Sequence, residues 1–131
     1  MKNLLLIIFA LVIIAGCKKA EKVVLPRGII GTWELRTIYG IGVLNFPPGN
    51  GNTLQFNQDS TYISSQPPNA NTNGVFHVVK NGITLGQTKY DELYYNNSKP
   101  GQIMELQNDT LALAPPIQGA DVGAAVFIRI K

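Results

Sequence analysis

The chain has one cysteine, one histidine and one tryptophan in 131 residues. A single cysteine, Cys17, rules out a disulfide within one copy, so the fold must be held by its apolar core. The sole histidine, His77, lies between Phe76 and Val78 with no sulfur or carboxylate motif beside it. A metal site ordinarily needs three or four ligands, and His77 reads as an outward strand residue. Paired acids at a catalytic spacing are also missing. Asp91 and Glu92 are adjacent, too close to form a shaped acid/base pair, and there is no Gly-rich phosphate loop or nucleophile motif. The sequence therefore reads as non-enzymatic, with no cofactor and no metal. It also lacks a sustained helical period, an internal repeat and an apolar run of the roughly twenty residues needed to span a bilayer as a helix.

The longest apolar run is Leu4 to Ala15, following Lys2, and it ends in Ile14-Ala15-Gly16-Cys17. A short positive n-region followed by an apolar stretch of this length fits a secretory signal peptide. The tetrapeptide resembles the lipobox of bacterial lipoproteins: an aliphatic residue, two small ones, then the cysteine that is acylated and becomes the new N-terminus. The resemblance implies a signal peptide over residues 1–16. It also implies acyl chains on Cys17, palmitate among them, that anchor the protein in a membrane. Several acyl chains give a stable anchor where one would be marginal. Lys18 after the cysteine, rather than Asp, implies sorting to the outer membrane of the cell envelope.

The net charge of +3 is unevenly placed. Lys18, Lys19, Lys22 and Arg27 against Glu21 make residues 17–29 a basic tether, suited to lie near anionic headgroups. From Gly28 onward acids slightly outnumber bases. A domain without a basic face argues against nucleic acid as a partner.

Residues 30–131 read as one small domain of short strands and turns, organised around Gly31-Thr32-Trp33-Glu34-Leu35-Arg36-Thr37-Ile38-Tyr39. The expected strands are 30–39, 52–56, 60–64, 74–80, 83–87, 102–106, 110–113 and 123–130. A further strand through 92–95 is open. Residues 40–51, rich in Pro and Gly, read as a loop, as do 66–73, 89–101 and 115–122. Asn57-Gln58-Asp59, Asn81-Gly82 and Asn108-Asp109 read as tight turns, Asn81-Gly82 being the strongest hairpin signal. Tight turns and long loops then alternate. In a meander this puts all tight turns at one end and all long loops at the other, which predicts an all-β, eight-stranded up-and-down barrel with one closed end and one mouth. The expected interior is Leu35, Leu54, Phe56, Tyr62, Phe76, Val78, Ile83, Leu85, Met104, Leu106, Leu111 and Leu113.

Gly31-Thr32-Trp33, Phe56-Asn57-Gln58-Asp59-Ser60-Thr61-Tyr62 and Phe127-Ile128-Arg129 together are similar to small bacterial lipocalin-like domains. That resemblance implies a lipocalin-like barrel, a Trp33 packed across the closed end under a basic side chain, and binding of a small apolar ligand in or at the mouth. Strands one and eight pairing antiparallel would bring Arg129 to Trp33, a structural plug. For ligand contact the expectation falls on Tyr90, Tyr94 and Tyr95, read as a rim loop, and on Phe46. The alternative for these rings is that they fold inward and fill the core. For function the alternative is an envelope protein–protein interaction or structural module with a filled core. Asp59-Ser60-Thr61 and Asp109-Thr110-Leu111 also resemble O-glycosylation sites of some Gram-negative envelopes, and are equally ordinary turn chemistry.

Overall fold

A computed structural model describes residues 28–116 and 123–131. The signal peptide, Cys17 and nearly all of the basic tether lie outside the described residues, as does most of the 115–122 connection. The described residues form nine strands and no helix: β1 (Gly31–Tyr39), β2 (Val43–Asn45), β3 (Thr53–Phe56), β4 (Thr61–Ser65), β5 (Thr72–Leu85), β6 (Thr88–Tyr95), β7 (Gln102–Gln107), β8 (Thr110–Ala114) and β9 (Ala124–Arg129).

All pairings are antiparallel, each strand from β3 to β9 lies beside the next, and β1 pairs with β9 to close the ring. The architecture is thus a closed eight-stranded up-and-down barrel with one extra strand, β2. Closure removes the free sheet edges that would otherwise template aggregation. At the seam Trp33 stands opposite Arg129 and Leu35 opposite Phe127. Arg36 is an extra residue there, so side-chain alternation on β1 shifts and Ile38 packs against the core.

Three short turns, 57–60, 86–87 and 108–109, lie at one end, and the chain enters there at Gly28. The longer connections 40–52, 66–71 and 96–101 lie at the other, as do the described ends of the 115–123 connection. The segregation of turns from loops is as the sequence implies, but three elements differ from the expected assignment.

The first correction concerns Asn81-Gly82, which is not a turn. β5 runs through it, and the hairpin turns at Gly86-Gln87, with Leu85 opposite Thr88. Gly86 has φ +61, the positive value that a type II′ turn needs at its first central residue. Asn81 does take a left-handed conformation, φ +53, but inside a bulge where Lys80, Asn81 and Gly82 face Asp91 alone. The Asp91 carboxylate accepts from the Asn81 amide (3.1 Å) and the Lys80 ammonium (2.6 Å), replacing the ladder bonds the bulge removes.

Second, the expected 89–101 loop is mostly strand. β6 occupies its first half and carries Leu93, which is fully buried, into the core. The expected fourth and fifth strands are one long strand, and β6 restores the count of eight. Third, residues 40–51 include β2, which folds back along Thr37–Tyr39 as an exposed hairpin arm.

The core fills the closed half. Trp33, Phe56, Leu93 and Leu111 are the largest fully buried side chains. Phe56 meets Phe76 edge-on at 4.8 Å, and Tyr62 meets Tyr95 edge-on at 4.7 Å. Aromatic contacts of this kind add about 0.5–1.5 kcal/mol beyond area burial. Trp33, Leu93 and Phe127 join the expected interior, whereas Ile83 and Leu85 lie on the projecting hairpin and are only partly buried.

Candidate functional site

The inward positions of the strands change character along the barrel axis. On β4 the inward side chains run from Tyr62 to Ser64 toward the mouth. On β5 they run from Phe76 through Gly74 to Thr72, and on β7 from Met104 to Gln102. Large rings and branched chains therefore pack the closed half solid. Small or polar side chains at the open half cannot fill the same cross-section.

The result is a cup of about 430 Å³ opening at the loop end. Its floor is made by Leu35, Leu54, Leu113, Phe127 and the rings of Tyr62 and Tyr95. Ser64, Thr72 and Gln102, inward on their strands, stand higher on its wall. The volume falls at the small end of ligand pockets, ~300–1,000 Å³, which are mostly apolar with a few placed polar groups.

Tyr95 defines the boundary between core and cup. Its ring stacks loosely on Phe56, 6.3 Å between centroids, and meets Tyr62. Burial, and secondarily the neighbouring Tyr62 phenol, push its pKa well above the ordinary tyrosine range, so it is a neutral hydrogen-bonding group at any physiological pH. The Asn96 side chain ties this region together. Its amide donates to the Tyr62 hydroxyl at 3.3 Å, and its oxygen accepts from the Val75 amide at 3.0 Å. Asn96 packs directly over Gly74, where a side chain would collide with it.

The four residues expected to meet a ligand are dispersed. Tyr95 lines the cup. Tyr94, its neighbour on β6, points to the outer face and stacks on His77 at 4.6 Å, with the rings 6° from parallel. A hydrogen bond to the Glu92 carboxylate, then partial desolvation, raises the Tyr94 pKa. Tyr90 pairs with Ile83 on the projecting β5–β6 hairpin, and Phe46 packs against the core from the 40–52 connection. Neither is among the residues lining the cup. Ser64, Thr72 and Gln102 were not singled out from sequence. The signal for them was present, in that each lies two or four residues from an inward aromatic or methionine on the same strand.

At the closed end the Arg129 guanidinium lies over the Trp33 ring, 4.0 Å from its centroid. It also donates to the carbonyls of Ile30 (2.6 Å) and Gly28 (2.7 Å) and pairs with Asp109 at 3.1 Å. The Trp33 indole N–H donates to the Ile29 carbonyl at 2.7 Å. This cluster fastens the incoming chain to the seam at the end away from the cup. In the neighbouring turn the Thr61 hydroxyl accepts from Asn57 at 2.9 Å and donates to Asp59 at 2.6 Å, and this bond, with a second from the Thr61 amide, holds the Asp59 pKa below the ordinary carboxylate value. Ser60, at the tip, is exposed with φ +66.

The mouth also carries an apolar projection. On the β1–β2 hairpin Tyr39, Ile41, Val43 and Leu44 are exposed, Ile41 to 94%. From Thr37 to Gln58 the chain has no charged residue.

No protein-family model, curated protein or solved structure matches this chain.

Proposed function

We propose that this chain is a lipid-anchored, lipocalin-like binding protein of the outer membrane, non-enzymatic, that holds a small ligand in the mouth of its barrel. The observation that carries the reading is the cup of about 430 Å³, open at the loop end and floored by Leu35, Leu54, Leu113 and Phe127. Small or polar residues stand at the positions of β4, β5 and β7 where larger inward side chains would close that space.

The Ile14-Ala15-Gly16-Cys17 sequence supports acylation at Cys17, and the basic residues of the tether support a position against anionic headgroups. Arg129 fastens Gly28 at the closed end, where the described chain begins, which supports a cup that opens away from the anchor. Palmitate labelling of the expressed protein, compared with a Cys17→Ala variant, tests the anchor. Mass spectrometry of molecules that co-purify from native membranes tests the binding. A wild-type protein carrying no molecule that is absent from an Ala125→Trp variant would count against it.

The second reading is an envelope protein–protein interaction module. It is favoured by the exposed Tyr39, Ile41, Val43 and Leu44 at the tip of the β1–β2 hairpin. Isolated apolar residues are common on surfaces, but four on one uncharged arm form a patch of the kind used for docking. Crosslinking from position 41 in whole cells separates the two readings.

A further inference from the structure

The polarity of the cup restricts what it can hold. Among the described residues that line it, none is charged. An ionised group carried into it gains no counter-charge from those residues, and whatever hydration it gives up there is uncompensated. The floor is hydrocarbon and aromatic. The wall is different: Ser64, Thr72 and Gln102 present hydroxyl and amide groups there, and their side chains make no hydrogen bond to another described residue. Hydroxyls and amides both donate and accept, which matches a ligand group that does the same. A purely hydrocarbon ligand would cover these groups without satisfying them.

Resting on the binding reading above, we propose that the cup takes an uncharged amphiphile. Its hydrocarbon part lies on the Leu35, Leu54, Leu113 and Phe127 floor, and its hydroxyl- or amide-bearing head meets Ser64 and Gln102 at the wall. The Tyr95 phenol, kept neutral by its surroundings, adds an uncharged polar contact where floor meets wall. The same arrangement disfavours ionised fatty acids and alkylammonium ions of equal tail length, because only the head differs and the wall offers no partner of opposite sign.

The test compares three probes with the same ten-carbon tail: 1-decanoylglycerol, decanoate and decylammonium. They are titrated at pH 8, below their micellar concentrations, into the full acylated protein in phospholipid nanodiscs. Nanodiscs carrying the Ala125→Trp variant give the background, and circular dichroism checks that the variant keeps its fold. Should that variant not fold, Ser64→Val with Gln102→Leu replaces it as the reference, with the expectation that its affinity for the monoglyceride falls at least fivefold.

The expected result is binding of 1-decanoylglycerol at least tenfold tighter than either charged probe. Comparable affinity for all three, lost in the variant, would overturn the head-group assignment and leave the binding reading in place. Tighter binding of either charged probe would overturn the assignment in the same way. No difference between wild type and variant for any probe would remove the binding reading together with this one.

Discussion

Arg129 covers Trp33 at 4.0 Å, and the two residues stand opposite each other on the strands that close the barrel. One side chain thereby covers the indole and gathers the carbonyls of Gly28 and Ile30. A cation over an indole contributes about 0.5–2 kcal/mol, and hydrogen bonds from a charged donor about 1.5–3 kcal/mol. Arg129→Ala should therefore lower stability by about 2–4 kcal/mol, with overlap between these contributions. Arg129→Lys should recover only part of this, because an ammonium lacks the planar fork. Urea midpoints at constant slope measure both. A midpoint for Arg129→Ala equal to wild type would deny the seam contact its role.

Gly31 sits beneath the same guanidinium. Its φ of +140 disfavours any side chain, and a Cβ there would stand 2.6 Å from the Lys131 carbonyl oxygen and 2.5 Å from Arg129 Nη1. Gly31→Ala should cost about 2–4 kcal/mol by straining the backbone and opening the β1–β9 seam. Amide exchange should rise first at Thr32 and Ile130, whose backbone groups bond across that seam. Unchanged exchange at those two amides would contradict the account.

The bulge in β5 makes a prediction about residue type. Asn81→Gly should be nearly neutral, since glycine accepts φ +53, whereas Asn81→Val should cost about 1–3 kcal/mol. Equal thermal midpoints for the two variants would show that the left-handed residue does not matter.

Asp91 supplies the acid-side pH dependence. Desolvation works to raise its pKa, but the Lys80 and Asn81 hydrogen bonds outweigh it and leave the pKa below the ordinary carboxylate value. A lowered folded-state pKa gives stability that is present above the unfolded value, near 3.9, and is lost as pH falls through the folded one. The Lys80 side chain is largely exposed and solvent screens the pair, so the effect should be about 1 kcal/mol or less. Asp91→Asn should flatten the stability profile below about pH 4 without changing its alkaline limb. A wild-type acid limb retained in the variant would assign it to other carboxylates.

Tyr95 supplies the alkaline counterpart. Burial raises its folded-state pKa, so its stabilising contribution is complete below the unfolded value near 10 and is lost as pH rises from there. Tyr95→Phe should therefore make stability less steeply dependent on pH above about 10, as followed by urea unfolding at successive pH values. An unchanged slope would place the Tyr95 hydroxyl in water.

By themselves the residues determined the all-β class, the up-and-down order, the segregation of turns from loops and the meeting of the two end strands. Each is local or nearly so. Turn chemistry at Asn57-Gln58-Asp59 and Asn108-Asp109 needs only a few neighbouring residues, and the alternation from Trp33 to Leu35 on β1 needs only its own strand. Asn81-Gly82 marks where local reading ends. Asn81 took the left-handed conformation that the dipeptide favours, but whether the chain reversed there depended on register across the barrel. Turning at Gly86-Gln87 instead let β6 bring Leu93 into the core and Tyr95 to the floor of the cup. The tyrosines show the same division. Their composition is read from the chain, while their separation, with Tyr95 inside and Tyr94 outside on His77, follows from strand alternation that a loop would not impose. Only the closed ring decided that Ser64, Thr72 and Gln102, from three different strands, face one another above an apolar floor, because a cavity belongs to no single strand.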